Sequence, residues 1–285
     1  MLSHRIAGLE LVTDAIADWL APFRDESCPP WEDTGIPLPD RRGAEVANFI
    51  GELGDRRTRV SCEALPDGWR VAVDGCSPSF VSRDGAFVER LDDSGGPVDD
   101  RELDAMFGPA LLLALAARGI FCLHAAAVEG LGRGAAFLGG SGAGKSTLAR
   151  RLPDLESGLV PLADDVLPTD ASAGARPRFP QPRWAPSAQR VSAAENLPLG
   201  VVFVLAESEE ITVESLSGRE AAVALARHTM GARLFDARLA ERHFDFCAAL
   251  ITRVRVEKLS YPRSYDALPH VARCVLRELT RDGAA

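Results

Sequence analysis

Gly139-Gly140-Ser141-Gly142-Ala143-Gly144-Lys145-Ser146-Thr147 follows the apolar run Ala135-Ala136-Phe137-Leu138 and precedes Leu148 and Leu152 at helical spacing. The pattern is G-x-x-x-x-G-K-[ST] between a strand and a helix, the phosphate-binding loop in its expected setting. Its spelling has a physical reason. A phosphate chain is wrapped by backbone N–H groups at close range, and Gly139, Gly142 and Gly144 remove the side chains that would prevent it. Lys145 then reaches the β- and γ-phosphates as a point charge, the Ser146 hydroxyl ligates Mg²⁺, and the helix turns its positive dipole end to the anion. All nine residues of the loop are therefore predicted to line the nucleotide, ATP, with Mg²⁺ beside it.

The rest of the chain narrows the setting. Its 285 residues are 46% apolar and 26% charged, enough for a core and a second unit. No stretch approaches the roughly 18 apolar residues of a membrane helix, and the opening Met1-Leu2-Ser3-His4-Arg5 lacks a signal core, so a cytoplasmic protein away from membranes is expected. Six scattered cysteines lack C-x-x-C spacing and are expected to be reduced and mostly buried. A net charge of −9 argues against a nucleic-acid surface and favours a small or protein substrate. Oligomerisation is left open.

Two domains are expected, an N-terminal β-rich unit over 1–98 and a nucleotide-binding domain over 99–285. In the first, stretches at 58–64, 69–73, 80–82 and 86–88 read as strands, and Asp67-Gly68, Asp74-Gly75 and Asp84-Gly85 mark turns, giving a small antiparallel unit. In the second, Asp99 or Asp100 caps a helix that breaks at Gly108-Pro109 and resumes to Gly119. Strands follow at 120–128 and 135–138, then the loop and its helix, then a strand at 159–163 ending in Asp164-Asp165. Further strands at 201–205, 211–216 and 254–259 alternate with helices at 217–230, the first opened by the capping box Ser217-x-x-Glu220, and at 232–250 and 266–279. The predicted fold is α/β, a mixed sheet flanked by helices.

Three elements point to chemistry. Asp164 and Asp165 end the strand after the loop helix, where a carboxylate meets a metal held by Ser146. Adjacent carboxylates on extended chain face opposite sides, so one is expected to ligate metal while the other accepts a proton from an attacking hydroxyl. His124, on the strand before the loop strand, can lie near the phosphates as a proton carrier. Between 176 and 190 the chain carries Arg176, Arg178, Arg183 and Arg190 with four prolines and no acidic residue, a basic stretch in an acidic protein, and Arg178 and Arg183 are candidates for holding the substrate.

Leu123-His124-Ala125-Ala126-Ala127-Val128, the loop, and Leu162-Ala163-Asp164-Asp165 together resemble the HPr kinase/phosphorylase family, especially its smaller HPr-kinase-like relatives. The resemblance covers about 120–166 well and extends more weakly to the C-terminus. It implies a P-loop kinase core related to phosphoenolpyruvate carboxykinase that phosphorylates a serine hydroxyl with ATP and Mg²⁺. It also implies that His124 and one aspartate of the pair are active-site residues, with Asp164 ahead of Asp165 as base and Asp165 ahead of Asp164 as metal ligand; Lys145 is expected to be catalytic from its place in the loop. The glycine-rich signature that follows the acidic pair in authentic HPr kinases is missing, which points to another peptide or protein acceptor, as in relatives beside ribosomal-peptide modification systems. Two other readings stand beside it: a small-metabolite kinase, and a nucleotide-dependent regulator that transfers nothing.

Overall fold

A computed structural model describes residues 2–13, 23–24, 43–53, 56–91, 99–177, 179 and 196–281. The chain divides into two units, Met1–Ile120 with Gly231–Arg242, and Phe121–Met230 with His243–Ala285.

The first unit opens with a hairpin of β1 (Leu2–Ile6) and β2 (Leu9–Thr13), in which Ile6 faces Leu9. Its two-residue turn, Ala7 at φ 52° and Gly8 at φ 73°, has the positive dihedrals that match the twist of paired strands. A five-stranded antiparallel meander follows: β3 (Ala44–Leu53), β4 (Arg56–Ala64), β5 (Gly68–Val73), β6 (Ser79–Ser82) and β7 (Val88–Arg90), in that spatial order. The antiparallel unit expected from the sequence is present, with β3 as an additional strand. Trp69, Val71 and Val73 of β5 are buried, and the Trp69 indole donates to Asp236 Oδ2 at 3.1 Å.

Helix α1 (Asp100–Ala105) starts at Asp99, whose carboxylate accepts from the N–H groups of Arg101 and Glu102. The expected break at Gly108-Pro109 does not occur. Met106–Ala110 forms a π-helical turn that leads directly into α2 (Leu111–Ala117). A wider turn accommodates Pro109, which has no N–H to give to a regular ladder. This helical stretch groups with the first unit.

The second unit is built on a sheet that has nine strands among the described residues. The stretch expected as one strand over 120–128 is two, β8 (Ile120–Leu123) and β9 (Ala125–Gly130), interrupted at His124. Next come β10 (Arg133–Leu138), α3 (Lys145–Leu155), β11 (Leu159–Ala163), β12 (Leu167–Asp170), β13 (Gly174–Ala175), β14 (Leu197–Glu207) and β15 (Thr212–Ser215). Then follow α4 (Gly218–Arg227), α5 (Ala237–Arg253), β16 (Arg255–Tyr261) and α6 (Leu268–Thr280). The spatial order is β11-β9-β10-β14-β13-β12-β8, and β16 pairs with both β14 and β15. Strands β10, β14 and β16 are parallel, while β9 runs antiparallel to both β10 and β11. The expected mixed sheet flanked by helices is thus observed.

Local chemistry fixes the start of α4 as read, whereas the helix expected over 232–250 begins only at Ala237, after a short turn at Ala232–Leu234. Ser217 and Glu220 form the reciprocal capping box at α4. Helices α3 and α6 pack on the sheet through Leu148, Leu152, Val271 and Val275, against Val128, Phe137, Val201 and Phe203. Rings of Phe137 and Phe203 stack with centroids 6.0 Å apart. That packing makes the end of β10 and the start of α3 a rigid platform for the intervening loop.

Candidate active site

Strand register decides what meets the loop. Leu138, the last residue of β10, lies opposite Ala125, the first of β9, and Ala127 of β9 lies opposite Ala163, the last of β11. Because β9 runs against its two neighbours, its beginning shares an edge with their ends. The loop after β10, His124 before β9 and Asp164-Asp165 after β11 therefore gather along one edge of the sheet.

The loop is closed by its own carbonyls. Lys145 is buried, and its Nζ donates to the carbonyl oxygens of Gly139 at 2.7 Å and Gly140 at 3.1 Å. The Tyr261 hydroxyl donates to the Ala143 carbonyl at 3.4 Å, and Arg263 Nη1 donates to the Gly142 carbonyl at 3.2 Å. Side-chain donors thus take up carbonyls at four loop positions. At Gly144, φ is 96° and a Cβ would lie 2.5 Å from the Tyr261 hydroxyl, so both conformation and space require glycine there. Gly140, Ser141, Gly142 and Thr147 are exposed and Ser146 is half-buried at the first turn of α3.

The two aspartates have separate surroundings. Asp164 is fully buried, and its Oδ2 accepts from Arg150 Nη2 at 2.6 Å and Nε at 3.0 Å, which ties the end of β11 to α3. Asp165 adopts φ 86°, a left-handed conformation that Asp tolerates better than most residues and that costs about 1–3 kcal/mol. Its Oδ1 lies 3.1 Å from His124 Nε2, with the side chains 38% (His124) and 18% (Asp165) exposed. An imidazole N–H donating to that carboxylate leaves His124 Nδ1 as the second ring nitrogen available to a substrate.

His228 was not singled out from the sequence. It caps the C-terminal end of α4, its carbonyl accepts from the His124 N–H at 2.7 Å, and Leu123 and Thr229 form a β-bridge beside it. Burial, together with the neighbouring His124 ring and the positive charges of Lys145 and Arg227, pulls its pKa down to about 4, so its imidazole is neutral near pH 7. Behind it the Thr229 hydroxyl donates to the Leu225 carbonyl at 2.9 Å, so it accepts from His243 Nε2, also at 2.9 Å. A histidine preceding a threonine at a helix end carries no pattern of its own; only the bridge to residue 123 reveals its place.

Of the other candidates, Arg178 and Arg183 lie outside the described residues, and Arg176 pairs with Asp170 at 2.7 Å. Among the described residues no group of three or more His, Cys, Asp and Glu side chains gathers as a metal cluster, and no helix is long and apolar enough to cross a membrane. Cys62, Cys122, Cys247 and Cys274 are buried.

No protein-family model matches the chain, and no curated protein matches it. Among solved structures it is similar to one described as the structure of the Hpr(Ser) kinase/phosphatase from Coxiella burnetii, with 14% identity over 55% of this chain and 88% of that one. The TM-score is 0.29, a likeness too slight to add to the geometry above.

Proposed function

We propose that the chain is an ATP- and Mg²⁺-dependent phosphotransferase with a P-loop kinase core, acting on a hydroxyl, and that its acceptor is a serine of a peptide or protein. The observation that carries the reading is the pairing of His124 with Asp165 on the same sheet edge as the Lys145 loop. A phosphate-binding loop alone gives binding without a reaction class. A carboxylate-oriented imidazole beside it supplies what a hydroxyl acceptor needs, a place for its proton.

The roles follow from the surroundings of each group. Backbone N–H groups of 139–147 and Lys145 hold the β- and γ-phosphates. Asp165 orients His124 through Nε2, and His124 Nδ1 takes the proton of the acceptor hydroxyl as its oxygen bonds to the γ-phosphorus and ADP leaves. Asp164, enclosed and held by Arg150, is unsuited to the base role that the family resemblance gives it, and we assign it to positioning β11 on α3. Ser146 and Asp165 are hard oxygen donors that suit Mg²⁺, which takes few protein ligands beside phosphate oxygens and water. When bound, that ion would neutralise charge on the phosphates. The basic stretch 176–190 supports an acidic or polypeptide acceptor.

The test is transfer of labelled γ-phosphate in a screen of peptides, proteins and small metabolites, run on the wild type, His124→Ala and Asp165→Asn. Acceptor-dependent labelling lost in both variants, with ATP affinity kept in His124→Ala, is the expected result. Labelling of a small metabolite alone would replace the peptide acceptor, and tight ATP binding without any transfer would leave a nucleotide-dependent regulator.

A further inference from the structure

We infer that Arg263 is a second cationic ligand of the nucleotide polyphosphate, resting on the loop and released from its exposed partner Glu207 when the phosphates arrive. The inference rests on the reading of 139–147 as the nucleotide site. Arg263 follows β16, two strands away from the loop strand and parallel to it, so the ends of β10, β14 and β16 open on one edge. Its Nη1 donates to the carbonyl of Gly142 at 3.2 Å, and its Nε lies 3.3 Å from Glu207 Oε2 at the end of β14. Gly142, at φ 75°, is an exposed residue of the loop between Gly140 and Gly144.

A guanidinium in contact with a backbone carbonyl of the loop already lies against the loop. Lys145 shows the same arrangement, its ammonium resting on the carbonyls of Gly139 and Gly140. A neutral carbonyl is a weaker partner for a cation than a phosphate oxygen, since only the phosphate adds the attraction of an opposite full charge. Both cations therefore exchange a carbonyl for phosphate when the polyphosphate arrives. The Arg263 side chain is 44% exposed and that of Glu207 65%, so their ion pair is weak enough to yield. The planar fork of Arg263 can pair bidentately with phosphate oxygens in a fixed geometry, where a lysine acts as a point charge. Arg263 thereby favours the longer polyphosphates over a nucleoside monophosphate.

Calorimetric titration of the full chain with ATP, ADP and AMP tests this, using wild type, Arg263→Gln, Arg263→Lys and Glu207→Gln. Arg263→Gln should raise the Kd for ATP about tenfold and that for AMP much less, with a shallower salt dependence; Arg263→Lys should recover part of the loss. Glu207→Gln should bind ATP as tightly as wild type or more so, because a competing carboxylate is gone. Equal Kd values for wild type and Arg263→Gln would overturn the inference while leaving the nucleotide site intact. So would an equal loss in Glu207→Gln, which would make the pair a brace. A wild-type chain that binds no nucleotide would overturn both readings, and matched thermal unfolding of the variants excludes misfolding as the cause of any loss.

Discussion

Removing the Arg150 side chain should expose what Asp164 is for. The carboxylate is fully enclosed and Arg150 reaches it with two hydrogen bonds through one oxygen, while the arginine side chain itself is 51% exposed. Breaking a fully buried pair from one side costs about 3–5 kcal/mol, because it strands a charge. Water reaches this guanidinium, so the expected cost of Arg150→Ala is nearer 2–3 kcal/mol. Asp164→Asn takes one carboxylate from a half-exposed cation and forfeits charge-assisted hydrogen bonds, about 1–2 kcal/mol. The double variant should fall short of the sum by about 1–2 kcal/mol, since both changes delete one interaction. Urea unfolding at constant slope reads these differences directly. Phosphoryl transfer, where the protein remains folded, should survive in Asp164→Asn. Arg150→Ala within about 0.5 kcal/mol of wild type would refute the structural role. So would an Asp164→Asn protein of normal stability and ATP affinity that transfers nothing, which would return the base role to Asp164.

Gly144→Ala should cost about 1–2 kcal/mol for its left-handed backbone and a comparable amount for the clash with Tyr261, and combining it with Tyr261→Phe should recover the second part alone. Urea midpoints of the two singles and the double check this; strict additivity would show that the hydroxyl yields freely. Lys145→Ala should weaken ATP binding about 100-fold or more in calorimetry, and an unchanged affinity would remove the phosphate site. His228 gives a pH signature. Its folded pKa near 4 lies below the ordinary 6.5 because of burial, the neighbouring His124 ring and the charges of Lys145 and Arg227. The unfolded chain therefore binds the proton first, and stability falls as pH drops from 6.5 toward 4. Discounted for partial screening, the loss between pH 7 and pH 5 is about 1 kcal/mol. His228→Asn should flatten that slope, whereas parallel curves would show that the group is not held neutral.

The loop, the helix caps and most strands could be read from the chain because each is fixed by neighbours in sequence. Asp99 and Ser217 cap helices by bonding N–H groups two or three residues ahead, and that chemistry is written locally. The interruption at His124 was not legible. Ile120–Leu123 and Ala125–Val128 are apolar and buried on either side of it, so no change of period marks the break. What breaks the strand is a partner 104 positions later, the carbonyl of His228. Strand β3 escaped notice for another reason: its residues are only partly buried, and a half-wet strand lacks a strong apolar alternation. Met106–Ala110 misled because Gly-Pro reads as a breaker, yet buried contacts on both flanks, at Met106, Pro109 and Ala110, carry the helix through.

The sheet order also constrains how the second unit can assemble. Among the described residues β15 pairs with β16 alone, and β16 is inserted between β14 and β15. Thr212–Ser215 must therefore wait, unpaired, until Arg255–Tyr261 has emerged and docked. Pairings across such separations are slow to form, because loop closure precedes any gain. Until then β14, an apolar run including Val201, Val202 and Phe203, presents one open edge that invites pairing with another chain. Tyr261 and Arg263 arrive with that same strand, so the loop over 139–147 gains its contacts with them only when the exposed edge is closed.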